Sequence, residues 1–195
     1  MVVVAWADGA TVHCRLESLA MKNVVIASVL VLASATHVFA DDAPSIGGMR
    51  VGISPGVMFF SAHGQSSTGY GGNAWVGYEI EHGALAFTPL IDLGYTNFNT
   101  TPSTNLTFAI PTLQIADHLG AWVPALEFGV GYAYSWVTAN NVTLTDNFLA
   151  LSVGAQLDYR ITQSFMLGVA AHYKPFVEPA LNSFVDVGVN ATFAL

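Results

Sequence analysis

The sequence predicts an all-β protein: eight antiparallel strands in up-and-down order, closed into a barrel and preceded by a signal peptide. Three observations carry this. From about residue 49 onward, segments alternate strictly between apolar residues and small or polar ones, the period-two signature of strands. Clusters of Gly, Asn, Ser, Thr and Pro separate these segments, and the connections alternate between compact and longer polar stretches. The 195 residues are 53% hydrophobic and 9% charged, whereas soluble domains carry about 25% charged residues. After Asp41 there is no helix-period stretch and no apolar run of the roughly 20 residues a membrane-spanning helix needs.

The chain begins with a segment that stands outside this pattern. From Met21, Lys22 supplies a short positive region, Val24 to Ala35 are apolar or small, and Val38 and Ala40 occupy small-residue positions before Asp41. That is the layout of a cleavable signal peptide, which assigns 21–40 to export and 41–195 to the barrel. Residues 1–20 contain Asp8 and Glu17 where a positive start is normal, so they read as an N-terminal extension arising from a misplaced start codon. The single cysteine, Cys14, falls in that extension. The exported chain then has no disulfide, no thiol chemistry and no cysteine for lipid attachment.

The strands follow in order. Over 49–61, Met49, Val51, Ile53, Val57 and Phe59 oppose Arg50, Gly52, Ser54 and Gly56. Over 70–82, Tyr70, Ala74, Val76, Tyr78 and Ile80 oppose Asn73, Trp75, Gly77, Glu79 and Glu81. Over 85–96, Leu85, Phe87, Ile91, Leu93 and Tyr95 oppose Ala86, Thr88, Asp92 and Gly94. The segment 106–116 breaks phase, with Leu106, Phe108 and Ile110 on one parity and Leu113 and Ile115 on the other; a bulge at Pro111 is the expected cause. The remaining four segments, 126–136, 149–160, 165–174 and 185–195, alternate cleanly. Connections near 82–84, 117–122 and 161–164 are compact, and those at 63–69, 97–105, 138–146 and 175–183 are longer. Short turns at one end and longer loops at the other characterise transmembrane barrels.

The charges decide which face meets which solvent. Nearly every strand charge shares a face with Gly, Ala and Ser, while the opposite face is continuously apolar. A charge facing lipid at mid-membrane costs about 2–4 kcal/mol for Arg or Lys, and small residues suit the narrow inside of an eight-stranded barrel. The polar face is therefore expected inside and the apolar face against lipid. Tyr95, Tyr134, Trp136 and Tyr173 near the loop ends, with Trp122, Tyr159, Phe165 and Phe193 near the turn ends, match the two aromatic girdles of such barrels.

Four stretches, VPALEFGVGYAYSW (123–136), NFLALSVGAQLDYRI (147–161), SFMLGVAAHYKP (164–175) and FVDVGVNATFAL (184–195), resemble the small eight-stranded outer-membrane barrels of Gram-negative bacteria, the group containing the OmpA transmembrane domain, OmpX and OmpW. The last strand is similar to the C-terminal signal read by the barrel-assembly machinery, although that signal ends in an aromatic and here Ala194 and Leu195 follow Phe193. The resemblance implies an outer-membrane location, both termini in the periplasm and a monomer. The implied partners are outer-membrane lipid and lipopolysaccharide, with the barrel-assembly machinery and periplasmic chaperones during biogenesis.

The candidate site is the inward charge network: Arg50, Glu79, Glu81, Asp92, Glu127, Asp158, Arg160, His172, Lys174 and Asp186. Hairpin arithmetic sets Arg50 opposite Glu81, in the turn-side half with Glu79, Glu127, Asp158 and Arg160. Lys174 and His172 fall toward the loops, with Asp186 across their hairpin and Asp92 at an intermediate height. The expected role is a register-fixing ion network that fills the lumen, since buried charges persist when paired. If the lumen conducts, its acidic surplus predicts cation preference.

Other chemistry is not supported. The net charge of −8 argues against nucleic acid. No His-x-x-x-His metal spacing and no phosphate-binding glycine loop occur, and no cofactor is implied. The histidines of the exported chain, His63, His82, His118 and His172, do not form the Ser, His and acid set a lipid hydrolase needs. His82 and His118 fall in turns, where solvation is expected. The leading function is structural or surface-exposed, in adhesion or recognition; a narrow channel for small or hydrophobic solutes is the alternative, and a lipid A-modifying enzyme is less favoured. The loops, with Asp146 and Glu178 among many Asn, Thr, Ser and Pro, fit surface exposure without specifying a partner.

Overall fold

A computed structural model describes residues 47–62, 65–100, 103–139, 142–177 and 183–195. The N-terminal extension, the signal peptide, Cys14, His63 and Glu178 lie outside these residues. Eight strands follow one another: β1 (Gly48–Ala62), β2 (Gln65–His82), β3 (Leu85–Phe98), β4 (Thr104–Asp117), β5 (Trp122–Ala139), β6 (Val142–Arg160), β7 (Phe165–Val177) and β8 (Ser183–Ala194). Each pairs antiparallel with its neighbour in sequence, and β8 closes on β1. Closure leaves no strand edge unpaired, which hydrocarbon surroundings require. At about 3.4 Å per residue, even the 12-residue β8 is long enough to cross a hydrocarbon core of about 30 Å on a tilt.

The two faces are inverted relative to a soluble protein. Ile53, Tyr78, Ile91, Val130, Val169 and Val189 point outward and are exposed, whereas Arg50, Glu79, Asp158, Lys174 and Asn190 are buried. Lys174 is 0% exposed and Tyr132 is 70% exposed. The expected girdles are present as ring pairs on the outer wall. Trp122 and Tyr159 lie 5.0 Å apart and Phe165 and Phe193 4.9 Å apart at the turn end; Trp136 sits 5.7 Å from Tyr134 and 6.1 Å from Tyr95 at the loop end.

Two expectations are corrected. No bulge interrupts β4: its register against β3 runs unbroken from Leu85↔Asp117 to Phe98↔Thr104, with Leu106, Phe108, Ile110, Thr112, Gln114 and Ala116 all buried. The apparent phase shift is a change in what lines the barrel, not in the backbone. Nor are the loop-end connections uniformly long, because β2 starts at Gln65, β3 runs to Phe98 and β6 starts at Val142. Thr and Ser in those stretches favour extended backbone as readily as loops, and pairing with a long neighbour recruits them.

The interior therefore has two storeys. Toward the loops it is apolar: Met58, Phe98, Leu106, Phe108, Ile110, Phe176 and Phe184 form one buried cluster, against which Phe60 and Phe148 pack. Ring centroids of Phe60–Phe98, Phe148–Phe176, Phe176–Phe184 and Phe108–Phe184 lie 5.3, 5.1, 5.6 and 5.7 Å apart, within the usual range for favourable aromatic pairs. Below this plug lie the charges, and a small cluster of Ala86, Ala116, Val123, Ala125 and Met166 packs at the turn end.

Candidate functional site: the barrel interior

Period-two geometry puts His172 and Lys174 of β7, Glu79 and Glu81 of β2, and Gln156, Asp158 and Arg160 of β6 on one inner surface. Directly under the plug, Lys174 Nζ donates to Asp186 Oδ2 at 2.5 Å and lies 3.5 Å from Asp92 Oδ2. Its ammonium also faces the Phe108 ring, 4.3 Å from the centroid, and the Phe184 ring at 5.4 Å. A cation between two carboxylates and two ring faces is satisfied by both halves of the lumen.

His172 is held from both sides. Its Nδ1 is 2.6 Å from Asp186 Oδ1 and its Nε2 is 2.9 Å from Glu127 Oε2. Carboxylates only accept, so two such contacts match an imidazolium that donates twice. Gln114 Nε2 donates to Glu127 Oε1 at 2.9 Å and reaches Gln156 Oε1 at 3.5 Å. Gln156 Nε2 donates to Asp158 Oδ2 at 2.5 Å, and Asn190 Nδ2 donates to both Asp158 oxygens at 3.1 and 3.2 Å. One connected path thus runs from Asp92 through Lys174, Asp186, His172, Glu127 and the two glutamines to Asp158.

The turn end holds a second group. Arg50 Nη2 donates to Glu79 Oε1 at 2.5 Å, His118 Nε2 lies 3.7 Å from the same oxygen, and Arg160 Nη2 donates to His118 Nδ1 at 2.6 Å. His118 follows the end of β4, outside the spanning strands. Burial, reinforced by the Arg160 and Arg50 guanidinium groups, pushes it down to about 4, so it is neutral at pH 7. Ligand atoms of Glu79, Glu81 and His118 lie within 4.8 Å of one another. Arginine can only donate, however, so Nδ1 accepts and the hydrogen sits on Nε2. A hydrogen rather than a lone pair points toward Glu79, so the imidazole is set to support the Arg50–Glu79 ion pair rather than to ligate a metal.

Of the ten candidate residues, Arg50, Glu79, Asp92, Glu127, Asp158, His172, Lys174 and Asp186 are buried and Glu81 and Arg160 half-buried, and their grouping differs from the hairpin arithmetic. Arg50 pairs in register with Gly77 and bonds Glu79, not Glu81. Glu127 joins the His172 group, because its neighbours across the ladder are Gln114 and Gly154, and His172 lies beyond Gly154. Gly154 is what permits that reach: a Cβ there would overlap the His172 ring. His118 is not solvated in its turn but 8% exposed and bonded to Arg160. Gln156 and Asn190 share the polar parity of β6 and β8 but, like Gln114 of β4, are uncharged and so fell outside a candidate network drawn from formal charges; parity was the available signal. Between the two groups a cavity lined by Ser54, Asn73, Trp75, Asp92, Glu127 and Asn190 measures about 10 Å³, room for about one water.

No protein-family model matches the chain, and no curated protein matches it. Among solved structures it is similar to Neisserial surface protein A, with a TM-score of 0.60 and 15% identity over 76% of this chain and 97% of that one. It is also similar to Ail, the attachment invasion locus protein of Yersinia pestis, with a TM-score of 0.55 and 12% identity over 76% of this chain and 100% of that one. A structure of Ail with the heparin analogue sucrose octasulfate gives a TM-score of 0.57 at 12% identity, with the same coverage. At these identities the likeness establishes the eight-stranded barrel fold.

Proposed function

We propose that the protein is a bacterial outer-membrane barrel with a structural or surface-exposed role, acting in adhesion or recognition through its loop end, and that it is neither an open channel nor an enzyme. One observation carries this reading: the wall is apolar outside while the lumen is filled by a paired ion network under a phenylalanine plug. The outward face requires lipid as its solvent, because a water-facing wall of this extent would be an aggregation surface. The filled lumen disfavours the narrow-channel alternative. Among the described residues no Ser, His and acid set comes together in the interior contacts, and the lipid A-modifying enzyme stays the less favoured reading. The fold likeness to a surface protein and to an attachment invasion locus protein supports a role at the cell surface.

The test combines two measurements on the same preparation. Outer-membrane fractionation with heat-modifiable gel migration is expected to show a folded barrel in the outer membrane, and planar-bilayer recording is expected to be silent. A heat-insensitive product in the cytoplasm removes the membrane assignment. A stable conductance removes the closed-lumen reading and reinstates the channel.

A further inference from the structure

One concavity lies on the outside of the wall, an open groove of about 670 Å³, within the roughly 300–1,000 Å³ of small-molecule sites. It is built by alternation of strands. At one level, β4 presents only Thr107 and Ala109, while β3 on one side raises Leu93 and Tyr95 and β5 on the other raises Tyr132 and Tyr134. The result is a trough that runs with β4 between two ridges. Gly94, between Leu93 and Tyr95, faces inward, where the Phe108 ring fills the space that a Cβ would take.

Most of the polar side chains of the trough gather toward the loops. Toward the loops lie the Tyr95 hydroxyl, which donates to Asn105 Oδ1 at 2.9 Å, the Thr107 and Tyr134 hydroxyls and the Asn147 amide. Toward the turns lie Ala109, Leu93 and the Tyr132 ring. None of the lining residues is charged.

We infer that this trough seats one acyl chain of an outer-leaflet glycolipid, with the sugar end at the Tyr95–Asn105 rim. This rests on the outer-membrane reading, in which the loop end faces outward and the outer leaflet is the glycolipid layer. A small-floored channel between aromatic ridges accepts a single saturated chain by close contact. The neutral rim offers hydroxyl and amide partners that suit sugar and acylamide groups; a phosphodiester headgroup would call for Arg or Lys. A second copy of the chain fits less well, since the exposed Tyr132 ridge would have to enter a trough already bounded by ridges of similar height.

The experiment uses full-length barrel reconstituted in phosphatidylethanolamine vesicles containing lipid A, extracted gently and weighed by native mass spectrometry. One lipid A per barrel is expected. Ala109→Trp fills the trough and is expected to lower occupancy at least tenfold, whereas Val187→Trp, on the outer face of β8, is expected to leave it unchanged. Heat-modifiable migration of each variant confirms that it is folded, so failure of the membrane reading is seen separately. Equal occupancy in both variants, retention of phosphatidylethanolamine instead, or a lipid-free dimer each overturns the inference.

Discussion

Lys174 joins the two halves of the lumen: its ammonium donates to Asp186 at 2.5 Å while standing 4.3 Å from the centre of the Phe108 ring. The charged storey and the aromatic storey are thus one packed unit, and disturbance of either is felt by both.

Removing one charge from the upper network should be costly. Asp186→Asn leaves Lys174 and His172 facing an amide in place of the carboxylate that bonds both, and breaking a buried pair typically costs about 3–5 kcal/mol. The expected outcome is a lower midpoint in urea for the folded band on an unheated gel. A midpoint equal to wild type would mean that the network contributes nothing to holding the barrel.

The phenylalanine plug should be what seals the loop side. Phe108 and Phe184 meet at 5.7 Å above Lys174. The double variant Phe108→Ala/Phe184→Ala is expected to retain the fold, to lose several kcal/mol of stability at about 3–5 kcal/mol per ring, and to show current in planar bilayers where the wild type is silent. Silence from a folded double variant would assign the seal to the ion network beneath.

Gly154 is predicted to tolerate no side chain. A methyl group there would overlap His172, which is fixed at both nitrogens and has no free rotamer to adopt. Gly154→Ala is expected to destabilise by about 1–3 kcal/mol, the usual range for overpacking, whereas Gly83→Ala should act only through its turn backbone, at φ 67° with open space around it. Combining Gly154→Ala with His172→Ala should recover part of the loss. Additive effects would exclude the clash as the cause.

Acid should weaken the turn end through His118. Folding lowers this imidazole from 6.5 to about 4, so between those values the unfolded chain binds a proton that the folded chain does not. Stability is therefore unaffected above about pH 6.5 and falls as pH drops toward 4, by at most about 3 kcal/mol. His118→Gln, which lacks the titrating group, is expected to flatten that part of the urea-midpoint profile relative to wild type. Superimposable profiles would mean that the histidine is solvated.

The strand count, the inward and outward parity and the girdles were legible in the chain because each is local: period two assigns faces, and a single misplaced charge against lipid would cost kilocalories. Expecting Arg50, Glu79, Asp158, Lys174 and Asp186 inside followed from that rule alone. Ring height within the lumen did not. Phe108, Ile110 and Leu106 are apolar and lie on the inner face, so a rule that equates apolar with outward misassigned them and implied a bulge at Pro111. Hydropathy could not distinguish them from lipid-facing residues, since both environments exclude water.

Pairing across the lumen was equally out of reach. Lys174 of β7 meets Asp92 of β3, and His172 of β7 meets Glu127 of β5, and such contacts depend on strand stagger around a closed wall. Low charge and period-two alternation in the chain were sufficient for an eight-stranded barrel with lipid as its solvent. Which inward side chains meet was decided only when all eight inner faces came together, because closure joins side chains that no hairpin contains.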